Sequence, residues 1–86
     1  MSKFESPAAL REFALGTASL LRAGGQAEAG EIMETAATFV SGSGWEWLGE
    51  LDAATTSIRQ RFKLSGEITA RVARIRKAAT SRQPYG

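Results

Sequence analysis

The sequence predicts an all-α fold: a small antiparallel or orthogonal four-helix bundle, one domain over residues 1–86. Three observations carry that expectation. Apolar residues recur at three- and four-residue intervals in four separate stretches. Serines placed to cap a helix stand at Ser6, Ser43 and Ser65. The breaks between the stretches are short, so successive helices fold back on one another, and no strand-like alternation runs beyond a few residues.

Ser6-Pro7 opens the first helix, expected over 7–23, with Ser as N-cap and Pro at a position whose amide has no partner to lose. Leu10, Phe13, Ala14, Thr17, Leu20 and Leu21 line its core face. Leu15 lies off that stripe and is expected to cover a neighbouring helix or Phe4. Gly24-Gly25 ends the helix, because glycine at C′ takes the left-handed conformation without a Cβ clash. The second helix, expected over 26–41, presents Ala29, Ile32, Met33, Ala36, Ala37, Phe39 and Val40 to the core. Ser41-Gly42-Ser43-Gly44 closes it as a turn or short linker.

The third helix, expected over 44–62, holds both tryptophans. Ser43 and Glu46 have the spacing of a capping box. Trp47, Leu48, Leu51, Thr55, Ile58 and Phe62 then fill an arc of roughly 100°, the width of one core-facing stripe. Lys63-Leu64-Ser65-Gly66 breaks the chain again, and Ser65 caps a fourth helix over 66–81. Its stripe is thin: Ile68, Val72, Ile75 and Ala79. Arg71, Arg74 and Lys77 are expected on the outer face of this helix. Residues 1–5 and 83–86 read as flexible termini.

Composition narrows the chemistry. The apolar fraction of 43% is that of a folded domain. With no cysteine there is no disulfide, thiolate nucleophile or Cys-based zinc site, and with no histidine the commonest general base and transition-metal ligand are missing. A catalytic role, a cofactor and a metal centre are therefore not expected. No secretory signal pattern opens the sequence and no apolar run is long enough to span a bilayer, so the expected setting is soluble and cytoplasmic. The net charge of +2 conceals an asymmetry. Residues 1–56 hold three basic against eight acidic side chains, −5, and residues 57–86 hold eight against one, +7. Either the two halves neutralise each other inside the bundle or the basic half meets an anionic partner.

Three groups of residues compete for a functional role. Trp45 projects roughly 160° from Trp47, which lies on the core stripe of the helix. An off-core tryptophan suits an interface anchor, or else a ring covered by a loop or by the chain's own terminus. With Glu46, Gly49 and Asp52 it forms the expected partner-binding surface of a small helical regulator, adaptor or immunity-type protein. Self-association is one version of that reading. The second group, Arg71, Arg74 and Lys77, suits phosphates and would make helix four a nucleic-acid-binding element. Against it stand the acidic first half and a helix face without Asn or Gln for base readout. The third group, Glu28, Glu31 and Glu34 with Glu46 and Glu50, is expected to be a solvated acidic face.

Overall fold

The Ser6 hydroxyl accepts from the Ala9 amide at 3.1 Å and Pro7 takes the first helical position. Helix α1 (Pro7–Ala23) therefore begins where its cap predicts in the computed structural model, which describes residues 3–40 and 42–85. Its end follows from Gly25 at φ 85°, a conformation that costs a side-chain-bearing residue about 1 kcal/mol or more. The Gly25 amide donates to Arg22 O and the Gln26 amide to Leu21 O, at 3.0 and 2.9 Å, a Schellman arrangement that satisfies the last carbonyls. Ser43 and Ser65 accept from the Glu46 and Ile68 amides at 3.2 and 3.3 Å. They start α3 (Gly44–Arg61) and α4 (Gly66–Ala79).

The remaining helix departs from its predicted length. Helix α2 spans Ala27–Ala37, whereas periodicity predicts 26–41. The cause is a buried hydrogen bond from the Trp47 indole N–H to Ala37 O at 3.0 Å. A further helical turn would direct that carbonyl at the amide of residue 41, and the indole occupies it instead. The chain leaves the helix at Thr38. Phe39 and Val40, predicted in the core, lie in the connection at 38% and 91% exposure; Ser41 is outside the described residues.

Close backbone contacts run α1–α2, α2–α3, α3–α4 and α4–α1, a closed ring of four helices with core side chains across its diagonals. Leu10, Ala14, Leu21, Met33, Leu51, Ile58, Val72 and Ile75 are fully buried at its centre. The α1–α2 contact is the tightest. A Cβ built on Gly30 would stand 2.7 Å from Arg22 Cγ and 2.8 Å from Ala18 O, so only glycine lets these backbones meet at this distance. At the same end the Gln26 side chain donates to Lys63 O at 2.6 Å, tying the α1–α2 turn to the α3–α4 turn.

Helix α4 ends at Ala79 rather than at 81, and its rotation also differs from expectation. The buried stripe is Val72, Ile75 and Ala78, which turns Arg71 and Arg74 toward α1 instead of outward. Arg71 lies over the Phe13 ring at 4.0 Å and donates through Nε to Thr17 Oγ1 at 2.9 Å and through Nη2 to Phe13 O at 3.1 Å. Gly16 leaves room for it, since a Cβ there would come within 3.1 Å of Nη2. Arg74 sits between the Phe4 and Phe13 rings, 4.3 and 4.8 Å from their centroids. The guanidinium plane stacks on aromatic faces and keeps its donors in plane, so arginine closes this seam where the apolar stripe is too thin to do so alone.

Part of the ends read as flexible packs against this seam. Phe4 is buried beside Phe13, with ring centroids 5.3 Å apart, and its amide donates to Pro84 O at 3.2 Å. A single parallel bridge pairs Phe4 with Tyr85. Burial raises the Tyr85 hydroxyl above its ordinary pKa, and the Arg11 charge partly offsets that rise. Met1, Ser2 and Gly86 lie outside the described residues.

Two glycine substitutions should move stability in opposite directions. Gly49 is exposed within α3, and a Cβ there meets nothing within 4 Å, so Gly49→Ala should gain about 0.5–1 kcal/mol from helix propensity alone. Gly30→Ala has the same propensity gain but forces α1 and α2 apart, and overpacking of that kind costs about 1–3 kcal/mol. Urea denaturation should therefore show Gly49→Ala above the wild type and Gly30→Ala below it.

Candidate protein-binding surface

Among the described residues the large apolar side chains left exposed are Phe39, Val40 and Trp45, all within the connection between α2 and α3 or the first turn of α3. Trp45 is 69% exposed. The alternative expectation, a ring covered by a loop or terminus, is not what the structure shows. Its backbone is held in a helical turn capped by Ser43. Two positions on, Trp47 points inward, donates to Ala37 O and ends α2. The pair thus divides its work according to helical geometry. Residues two apart face nearly opposite ways, so one indole builds the fold while the other remains outside.

Around Trp45 the structure treats the other three predicted residues differently. Glu46 and Gly49 are exposed beside it. Asp52 is half-buried and turned toward α4, with Oδ1 3.6 Å from Arg76 Nε, an ion pair longer than a hydrogen bond. Asp52 therefore takes part in an internal contact between helices while remaining at the edge of the surface.

Beside this turn lies a cleft of about 470 Å³ whose walls include Arg11, Phe39, Val40, Gly44 and Trp47. The Arg11 guanidinium stands 5.5 Å from the Trp47 ring centroid while itself exposed. Arg11, Phe39 and Val40 were not singled out by the sequence pattern. Phe39 and Val40 fit the helical repeat of α2, and only the early end of that helix removes them from it. A bulky apolar pair immediately before Ser-Gly-Ser-Gly was the available signal, since a helix ending one turn early would leave that pair in a loop. Arg11, Phe39, Val40 and Trp47 thus make an apolar, partly aromatic corner with one cation beside it, and Trp45 stands on the adjoining turn rather than in the cleft wall. Such a corner can bury a partner's apolar side chain, and it can hold an acidic or carbonyl group against Arg11.

The three basic residues expected on the outer face of α4 do not share one environment. Of the predicted three, Lys77 is exposed, while Arg71 and Arg74 face the aromatic seam. Elsewhere the two halves neutralise each other locally: Arg61 pairs with Glu28, Arg76 with Asp52, and within the first half Arg22 pairs with Glu34. Among the described residues Arg59, Lys63, Lys77 and Arg82 have no ion-pair partner, and no group of three or more acidic side chains is placed to hold a metal ion. No helix among them is long and apolar enough to cross a membrane.

Two measurements check these placements. Acrylamide should quench a red-shifted tryptophan component that disappears in Trp45→Phe, leaving the shielded emission of Trp47. Arg71→Met should cost about 1–3 kcal/mol in urea denaturation, because it removes the donor to Thr17 Oγ1 and leaves Phe13 O with the Thr17 hydroxyl but without the guanidinium. A solvated surface cation would change stability by less than about 0.5 kcal/mol.

No family model, curated protein or solved structure matches this chain.

Proposed function

We propose that this protein is a small non-catalytic binding module, a regulator, adaptor or immunity-type protein, that grips a partner protein at the corner where α2 gives way to α3. The observation that carries the reading is Trp45, a large aromatic side chain at 69% exposure on a capped helical turn. Tryptophan and arginine are the residues most enriched where interface energy concentrates, and a ring on a capped helical turn loses little freedom on being covered. Val40 and Phe39 add apolar area, while Glu46 and Arg11 supply charges of both signs for steering and register. Asp52 contributes at the edge. Self-association through this corner is the version in which the partner is a second copy.

The alternative, nucleic-acid binding through the basic C-terminal helix, has weaker support. Two of its three named residues, Arg71 and Arg74, are engaged with Phe13 and Phe4, which leaves Lys77 of the three as an exposed cation. Titration with mixed-sequence DNA and RNA at low salt would revive it if binding appeared and fell steeply with added salt.

The test of the main reading is comparative capture. Wild type and a Val40→Ser/Trp45→Ala variant serve as baits for extracts of the native host, with sedimentation of each bait run alongside. The variant should keep its thermal stability within a few degrees and lose at least about tenfold of the specifically retained protein, or of the dimer. Equal retention by both baits would remove the corner from consideration.

A further inference from the structure

We propose that the groove between α2 and α3 is a second docking site, one that accepts a cationic amphipathic helix from a partner protein. The tight approach at Gly30 pulls α2 toward α1, and on the opposite side α2 and α3 leave an open groove of about 640 Å³. Its floor is apolar and built of small residues, with Ala36 and Ala54 buried below and Ile32 and Ala53 along the walls. Small residues let another helix lie close, as they do between α1 and α2. The lining runs from Ala27 to Ala36 on one side and from Glu50 to Arg61 on the other. At 1.5 Å per residue that is roughly 14–16 Å, or nearly three turns, a length matching a helix laid with its i, i+3, i+4 and i+7 side chains downward.

Charge selects the occupant. Glu28 and Glu31 rise on one wall and Glu50 on the other, and the single cation at the groove, Arg61, is already paired with Glu28. Among the described residues Glu31 and Glu50 have no ion-pair partner. A helix with Lys or Arg flanking its apolar stripe would bring opposite charge to both walls. A second copy fits poorly. Symmetric pairing through this face would set Glu31 and Glu50 against their own duplicates, and the apolar stripe of α4 is already buried in its own core. Nor is this the Trp45 corner seen from another side. On α3 the groove-facing residues point roughly 140° away from Trp45.

The test uses two synthetic helical peptides, a Leu/Lys amphipathic peptide of roughly 18 residues and its Leu/Glu counterpart. Each is titrated into the isotopically labelled full chain at near-physiological salt. The Leu/Lys peptide should shift backbone resonances at Ile32, Thr35, Ala53 and Ser57, and the Leu/Glu peptide should not. Glu31→Gln/Glu50→Gln should weaken binding roughly tenfold, as expected for two charge pairs at a groove rim, while Trp45→Ala leaves it unchanged. Shifts spread over the whole acidic surface, unaltered affinity in the double variant, or no binding at millimolar peptide would each overturn the proposal. Loss of binding in Trp45→Ala would transfer the peptide to the corner. Concentration-dependent shifts at these groove residues without peptide would make the occupant a second copy. Because the glutamines are near-isosteric and exposed, their melting curve should overlay the wild type, and a lowered one would be answered by Ala53→Arg, which blocks the groove without touching either glutamate.

Discussion

A buried hydrogen bond from the Trp47 indole to the Ala37 carbonyl joins the end of α2 to the start of α3, and the exposed corner depends on it. An unsatisfied indole N–H in a core would cost about 1–3 kcal/mol, and the carbonyls in the last turn of a helix are the backbone acceptors without intrahelical partners. Bringing the two together stops α2 before its apolar sequence runs out. Phe39 and Val40 then follow the chain into solvent, while the register of α3 that buries Trp47 leaves Trp45 outside. One local satisfaction of hydrogen bonding thus shapes the surface on which the proposed function rests.

The same economy governs charge. The positive half of the chain is divided between packing and solvent. Two of its arginines serve as flat, cationic packing pieces between α4 and α1, where Phe13, Thr17 and Gly16 supply a ring, an acceptor and a space. Others meet carboxylates of α2 and α3 at the surface, where an ion pair contributes about 1 kcal/mol at most and chiefly sets orientation. Neutralisation is uneven, however. It reaches Glu28 and Glu34 of α2 but leaves Glu31 and, across the groove, Glu50 facing water.

Closeness in one seam creates distance in another. With Gly30 drawn against Ala18 and Arg22, α2 cannot also nest fully on α3, and the alanines that would have supported such nesting line a groove instead. The aromatic seam at α1 and α4 closes the ring from the other side and takes in Phe4 and Pro84, so the two ends of the chain become part of the packing. A ring closed in this way holds the corner and the groove on separate faces of α3.

Local sequence was sufficient for the number of helices, the capped starts of α1, α3 and α4, the Gly24-Gly25 reversal and the core stripes of α1 and α3, because caps, turns and periodicity act over a few residues. It also singled out Trp45, since helical geometry alone sends it away from Trp47. Where α2 ends, which way α4 rotates, and whether Phe39, Val40, Arg71 and Arg74 face solvent or protein were decided by tertiary structure. Each of these depends on a partner distant in the chain: an indole for the Ala37 carbonyl, the Phe13 ring for two guanidinium groups, and a backbone across from Gly30. Periodicity says which residues share a face, but only the neighbouring helix determines which face is covered.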